Sequence, residues 1–196
     1  VPESHRERVA KYFDPLPFWY PPLEEAVVSS EEYPMHALTQ RPMAMYHSWG
    51  SQNAWLRQIY GYNRLYLSRK KAERLQICDD DWVFVTSHHG QIKVQVRLMD
   101  GVNDDTVWTW NAIGKRKGAW NLSEDAPESN RGFLLNHLIS QLLPPKGGEY
   151  NHGNSDPITG QAAWFDLRVR IEKAHDDRPG TVSEPEFPSI PNAAYL

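Results

Sequence analysis

The chain has 196 residues, of which 40% are hydrophobic and 23% charged, so it fits one globular domain with extensions or at most two small domains. Its formal net charge of -4 argues against a dedicated nucleic-acid binder, because such proteins usually carry an excess of Lys and Arg. The single cysteine, Cys78, excludes an internal disulfide and a cysteine-based zinc or iron–sulfur site.

The sequence contains no apolar run near the roughly 20 residues of a membrane span, and no signal-peptide pattern. We therefore expect a cytoplasmic protein without direct membrane insertion. Because the chain begins at Val1 instead of Met, we expect it to be either a processed product or a piece of a longer polypeptide.

Residues 1–32 are predicted to form an extended, proline-rich lead-in segment. The stretch "DPLPFWYPPLEE" has four prolines in twelve residues, which excludes a regular helix there. Its aromatic side chains are expected to pack on another surface.

A folded domain is predicted for residues 33–175. "MHALTQ" and "NRLYLS" read as strands, and "SQNAWLRQIYG" and "SRKKAERLQI" as short helices, the second with Ser68 as its N-cap. "DDDWVFVTSHHGQIKVQVRLMDG" predicts a hairpin, since apolar and polar residues alternate strictly after its "SHHG" turn. "DTVWTWNA" predicts a further strand.

The last third of the chain predicts a helix in "SNRGFLLNHLISQLL", a long loop over residues 144–160 and a final strand in "AAWFDLRVRIEKA". In that strand the residues expected to face inward are Phe165, Leu167, Val169 and Ile171, and those expected to face outward are Asp166, Arg168, Arg170 and Glu172. Residues 176–196 form a proline-rich tail. The whole pattern is mainly β with short helices and suggests a closed or nearly closed barrel.

Several residues could carry chemistry, but each has an ordinary structural explanation. The run Asp79–Asp81 could hold a cation, although a polar turn before a strand is the commoner use. His88 and His89 could bind a metal, but solvated turn residues are expected at a hairpin tip, and Cys78 is expected to be a small buried thiol. We find no complete active site, and a small hydrolase would need a nucleophile–base pair that the sequence does not show.

The stretch Leu38–Trp55 has more hydrogen-bond donors than a purely structural loop needs. Arg41 offers a planar fork suited to phosphate, and Trp49 offers a stacking face. A polar loop of purely structural purpose remains the alternative.

Four stretches occur in one order: "YPMHALTQRPMAMYHS", "AERLQICDDDWVFVTSHHGQIKVQVRL", "GFLLNHLI" and "DPITGQ". Together they resemble the C-terminal domain of the DMSO-reductase family of molybdenum enzymes, over roughly residues 33 to 174. The resemblance implies a double-psi β-barrel that binds molybdopterin guanine dinucleotide. The residues that it implies for cofactor binding are Thr39, Gln40, Arg41, His47, Ser48, Trp49, Asn136 and Gln161.

The resemblance also implies that the metal, molybdenum or tungsten, is held by other domains of a larger catalytic subunit. An iron–sulfur cluster would lie in those domains, and an iron–sulfur electron-transfer subunit would be the partner. The stretch "WTWNAIGKRKGAWNLSEDAPE" is most similar to a subgroup that includes sulfite dehydrogenase catalytic subunits. Lys115, Arg116 and Lys117 within it could reach a phosphate or a neighbouring domain, or form a solvated turn.

This sequence departs from the family pattern at Asp80-Asp81, where the family often has Gly-Asp, so the glycine of that turn is missing. The resemblance predicts an oxidoreductase domain that acts in two-electron oxidation or oxygen-atom transfer and is not catalytic alone. The alternative is a stand-alone β-barrel that binds a protein or nucleic-acid partner.

Overall fold

The computed structural model describes residues 2–13, 16, 19, 21–51, 53–111, 113–114, 132–140, 142–143, 152–156, 159–163 and 166–176. These residues form eight strands: β1 (Met35–Gln40), β2 (Leu65–Leu67), β3 (Trp82–Thr86), β4 (Gln91–Leu98), β5 (Thr106–Trp110), β6 (Leu142–Leu143), β7 (His152–Gly153) and β8 (Arg168–Lys173).

Six of the strands close into a barrel in the order β1-β5-β2-β4-β3-β8. The pairs β1/β5 and β2/β4 are parallel and the other four are antiparallel. The barrel, with short helices in the connections, confirms the predicted fold. The predicted hairpin is β3 and β4, and the predicted "DTVWTWNA" strand is β5 in the barrel wall.

The strand directions define one end of the barrel that matters below. At this end β1, β3 and β5 finish, and β2, β4 and β8 begin. We call it the β1 rim. Loops that leave β1 and β5 therefore meet the β3–β4 turn and the segment that precedes β8.

The barrel interior is filled by alternate residues of the strands, as their period-two pattern predicts. The most deeply buried members include Ala37, Leu65, Leu67, Val83, Val85, Ile92, Val96, Val107 and Val169. Leu167, Val169 and Ile171 lie inside as predicted, whereas Phe165 is outside the described residues.

Four α-helices are described: α1 (Glu3–Tyr12), α2 (His47–Gly50), α3 (Ala54–Ile59) and α4 (Arg69–Leu75). The side chain of Ser68 accepts a hydrogen bond from the Lys71 amide, which confirms the predicted cap of α4. Helix α1 shows that the expectation of an extended chain over all of residues 1–32 was wrong. The prolines exclude a helix only from residue 15 onwards, and α1 ends before them.

The predicted helix over residues 129–143 was also wrong. Of this range, the described part holds a 3₁₀ helix at Leu135–Leu138 and then β6, which pairs with β7. Two carbonyls that an α-helix would use accept side-chain hydrogen bonds instead: Asn63 Nδ2 donates to Phe133, and Ser87 Oγ to Leu138. These distant partners replace the helical hydrogen bonds and keep the segment irregular.

The lead-in segment is fastened to the start of β8 by hydrogen bonds from Arg168. Glu24 is fully buried in the 3₁₀ helix Glu24–Ala26, and its Oε2 accepts a hydrogen bond of 2.6 Å from the Arg168 amide. The Arg168 guanidinium donates to Glu25 over 2.6 Å. Arg168, predicted to face outward, is therefore buried, because the lead-in covers this side of the barrel.

Two further expectations were wrong. Cys78 is exposed, because it lies in the turn before β3 and not in the strand itself. His88 and His89 are only partly exposed, and both ring nitrogens of His88 are buried without a hydrogen-bond partner. His88 Nδ1 lies 3.8 Å from Glu24 Oε1, so the lead-in also covers the hairpin tip.

Candidate functional site at the β1 rim

The end of β1 carries three of the residues implied for cofactor binding. Thr39 is buried in the inward-facing row, and Gln40 and Arg41 are exposed. Because β5 runs parallel to β1, its end lies beside them, and the Asn111 amide donates to the Gln40 carbonyl over 2.7 Å. One rim thus brings together a guanidinium and two side-chain amides.

Asn63 organises this part of the rim from inside. Its side chain is buried, and Nδ2 donates to the carbonyls of Trp110, Ile113 and Phe133 over 2.9–3.1 Å. Its Oδ1 accepts from Thr109 Oγ1 and from the Trp110 amide. One side chain therefore fixes the end of β5 and the approach to the 3₁₀ helix.

Gly114 allows the segment that follows β5 to contact the segment at Gly132 and Phe133. It has a φ of +115°, and a β carbon there would lie 2.1 Å from the Phe133 nitrogen. Only glycine fits such a close approach. The chain before residue 115 and the chain after residue 131 are consequently packed together.

Asn111 differs from its neighbours because one of its polar atoms has no partner. Its Oδ1 is buried and accepts no hydrogen bond, although the residue as a whole is partly exposed. Buried acceptors are nearly always paired, so such an atom calls for an explanation.

The loop after Arg41 presents large exposed side chains. Helix α2 begins at His47, whose φ of +47° is left-handed, and the rings of Tyr46 and His47 contact edge to face at 5.5 Å. Trp49 is 75% exposed, which leaves its face open for stacking. Ser48 lies in the same helix.

Asn136 and Gln161 lie on separate exposed turns. Asn136 is in the 3₁₀ helix that Ser87 anchors to the β3–β4 turn, on the β1 rim. Gln161 ends a turn in which Asp156 Oδ1 accepts from the Thr159 amide, and this turn precedes β8, which begins at the same rim. The strand directions and the Ser87 contact therefore bring the β1 loop and the 3₁₀ helix that carries Asn136 to one end of the barrel, and the Gln161 turn precedes a strand that begins at this end.

Charged residues are unevenly distributed along the chain, which the net charge of -4 does not show. Between Glu32 and Glu73 there is no acidic residue, whereas there are six basic ones: Arg41, Arg57, Arg64, Arg69, Lys70 and Lys71. This acid-free stretch contains β1 and the whole loop that follows it. The sequence shows this signal, although composition alone suggested an acidic protein.

The acidic turn before β3 is structural, as predicted. Asp79 Oδ1 accepts from the Leu98 amide, and Asp81 Oδ2 from the Cys78 amide and from Lys173. Among the residues that the structure describes, no group of three His, Cys, Asp or Glu side chains could hold a metal ion. The basic residues Lys115, Arg116 and Lys117 lie outside the described residues.

Sequence reasoning did not identify Asn63 and Asn111. Each is an isolated asparagine in the sequence, and its partners lie more than 40 residues away, as in the Thr109–Asn63 hydrogen bond. No local pattern therefore marks either residue.

No helix in the described part of the chain is long and apolar enough to cross a membrane.

Comparison with known proteins matches the chain to a family of domains, over residues that include β1, the loop after it and β5. Residues 35–154 match the model of a family described as the molydopterin dinucleotide binding domain. The chain is 54% identical over 190 residues to a sulfite dehydrogenase subunit of Allochromatium vinosum, an alignment that covers 97% of this chain and 20% of that protein. It is 25% identical over 150 residues to dopamine dehydroxylase of Eggerthella lenta, covering 74% and 13% respectively.

Among solved structures, acetylene hydratase from Pelobacter acetylenicus matches with a TM-score of 0.57 and 17% identity, covering 82% of this chain and 22% of the hydratase. At that identity the likeness shows the fold alone. The chain thus spans only about a fifth or less of the length of the curated relatives it matches.

Proposed function

Because the chain belongs to the molybdopterin dinucleotide-binding domain family of DMSO-reductase-type enzymes, we propose that its β1 rim binds the dinucleotide cofactor within a larger catalytic subunit. The observation that carries the proposal is the position of Gln40, Arg41 and Asn111 at one end of the barrel. Gln40 and Arg41 also lie in the acid-free stretch of an otherwise acidic chain.

The residues present fit such a group. A pterin dinucleotide combines an anionic diphosphate with flat heterocycles that carry N–H donors. Arg41 supplies a cation for phosphate, Trp49 an open ring face, and Gln40 and Asn111 side-chain amides. The buried Asn111 Oδ1 without a partner is the kind of atom that a ligand donor would satisfy.

When bound, the cofactor supplies metal-centred redox chemistry, and this chain supplies binding and orientation. Arg41 would neutralise phosphate charge. Asn63 would keep the end of β5 rigid, so that the polar groups of the rim are already in position before binding. The whole enzyme would then carry out a two-electron oxidation or an oxygen-atom transfer on a small substrate.

Finer features of the enzyme also belong to the proposal. The name of the Allochromatium relative, a sulfite dehydrogenase subunit, supports a sulfur oxyanion as substrate and the presence of at least one other polypeptide. We propose the guanine form of the dinucleotide, an iron–sulfur cluster elsewhere in the catalytic subunit, and electron transfer to a partner iron–sulfur subunit. We further propose a cytoplasmic location, at the inner face of the membrane if partner subunits attach it there. The comparisons give no support to the alternative of a stand-alone binding module.

The test uses the full-length polypeptide that contains this domain. Molybdenum, tungsten and pterin would be measured per chain in the wild type and in the Arg41→Ala variant, with Arg74→Ala, on α4, as the matched control. We expect about one metal per wild-type chain and an approximately tenfold faster loss of cofactor from Arg41→Ala, because a charge-assisted hydrogen bond is lost. A wild-type polypeptide without pterin would contradict the proposal.

A further inference from the structure

We propose that Asn111 is an additional cofactor-binding residue, whose amide oxygen accepts a hydrogen bond from a ring N–H group of the dinucleotide. The inference rests on the proposed function. It adds to the site a residue that directly follows β5, whereas the residues implied by the family resemblance lie in other segments. Pterin and guanine share the required donor chemistry, since both contain an aminopyrimidinone ring.

The first argument is the cost of the isolated atom. Asn111 Oδ1 is buried without a hydrogen-bond partner. An unsatisfied buried acceptor is unfavourable. Because Asn111 as a whole is partly exposed, a rotation of its side chain would bring the oxygen to a ligand donor without breaking a hydrogen bond of that oxygen.

The second argument is that the backbone holds Asn111 in a fixed place. Its amide donates to the Gln40 carbonyl, and the preceding residue, Trp110, is held at both its amide and its carbonyl by Asn63. The Trp110 ring also packs edge to face against Trp108 at 4.8 Å. A fixed backbone limits the positions that the side-chain oxygen can take, which reduces the entropy lost on binding and favours recognition.

The third argument is the chemistry of the surroundings. The Asn111 amide donates to the Gln40 carbonyl, and Arg41 is the residue that follows Gln40. An acceptor and a cation are therefore close together on the same rim. A ligand that matches both must carry N–H donors and negative charge. A nucleotide-like heterocycle joined to phosphate has this combination, whereas a simple anion does not.

The experiment measures cofactor retention in the full-length polypeptide. Loaded wild type, Asn111→Ala and Asn103→Ala would be held in urea below the unfolding transition, and released pterin would be followed by its fluorescence after oxidation. Asn103 is an exposed asparagine in the turn before β5 and serves as the matched control. We expect Asn111→Ala to release cofactor about tenfold faster than the other two.

A second measurement separates binding from folding. In the cofactor-free polypeptide, Asn111→Ala should leave the unfolding temperature unchanged or raise it, because it removes an unpaired buried oxygen. Equal retention in the two variants would overturn the inference, and so would a loss of stability in the cofactor-free form as large as in the loaded form. Wild type that retains pterin while Asn111→Ala behaves like the control would leave the proposed function standing.

A third arm identifies the ring. GDP, which carries the guanine half alone, would be added to the cofactor-free polypeptide, and the rise in unfolding temperature would be recorded. If faster release by Asn111→Ala is accompanied by loss of the GDP effect, the contact is with guanine. If release is faster and Asn111→Ala leaves the GDP effect of the wild type unchanged, the contact is with the pterin. Both results support the inference and differ only in the ring assigned.

Discussion

At the scale of single residues, Asp80 has a backbone conformation that normally favours glycine, with a φ of +65°. The family that the chain resembles often has glycine at this position. We predict that Asp80→Gly is more stable than Asp80→Ala by about 1 kcal/mol, because a β carbon in the left-handed region is strained. Urea unfolding of the two variants would measure the difference.

The comparison between these two variants cancels the loss of the carboxylate. Asp80 lies 3.5 Å from both Arg64 and Arg97, and both variants lose these exposed contacts equally. If Asp80→Ala proved as stable as Asp80→Gly, the left-handed conformation would not be costly at this turn.

Glu24 makes stability depend on pH. Burial raises the pKa of this carboxyl group from 4.5 to about 7. The folded state therefore binds a proton more tightly than the unfolded state, and the resulting stability is fully present below pH 4.5 and is lost as the pH rises to about 7. Glu24→Gln should not lose this contribution. Relative to wild type, it should gain on the order of 3 kcal/mol between pH 4.5 and 7.

The measurement is the free energy of unfolding at several pH values, with Glu31→Gln, at an exposed position, as control. His88 lies beside Glu24, and His89 lies beside His88; burial lowers the pKa of both histidines. They favour folding when neutral, so their effect on stability has the opposite sign. A wild-type and Glu24→Gln difference that is constant with pH would show that Glu24 stays ionised in the fold.

Single residues also show where sequence reasoning works. The Ser68 cap could be predicted because cap and donor are only three residues apart. The burial of Arg168 and His88 could not, because it depends on Glu24 and Glu25, which lie far away in the chain.

At the scale of elements, Asn63 links β2, β5 and the segment that leads to the 3₁₀ helix. We predict that Asn63→Ala lowers the free energy of unfolding by more than about 2 kcal/mol, because three carbonyls lose their donor. Asn53→Ala, which removes the exposed N-cap of α3, should cost only about 1 kcal/mol. Thermal or urea unfolding of both variants would test the order, and equal losses would contradict it.

The elements with strict alternation were predictable and those with mixed signals were not. Strand β4 was predicted from its alternating apolar and polar residues and was confirmed. The stretch "GFLLNHLI" has apolar residues at helical spacing, yet hydrogen bonds from Asn63 and Ser87 hold it in another form. Periodicity records which residues are apolar, and it does not record which carbonyls receive distant side chains.

At the scale of the whole molecule, the loop between β1 and β2 leaves much apolar surface exposed. Trp55 and Ile59, four residues apart on α3, are 76% and 66% exposed. Exposed apolar patches usually mark contact surfaces, so we predict that the rest of the catalytic polypeptide covers α3. Hydroxyl-radical footprinting should show strong modification of Trp55 in the isolated chain and several-fold less in the full-length polypeptide.

Met99, 40% exposed after β4 at the opposite end of the barrel, gives a control for the same experiment. Equal modification of Trp55 in both samples would mean that α3 faces solvent in the complete enzyme. The strands and their faces could be predicted at this scale. The closed order of the barrel came from the family resemblance, because pairing such as Met35 with Val169 leaves no local trace.

Closure of the barrel also has a consequence for synthesis. β8 is the neighbour of both β1 and β3, and Met35 pairs with Val169. During synthesis on the ribosome, β1 and β3 each keep one edge without a paired strand until β8, near the end of the domain, has been made. Contacts so distant in sequence form slowly, and open edges invite association with other chains. The nascent domain should therefore depend on chaperones for a longer part of translation than a helical domain of equal length.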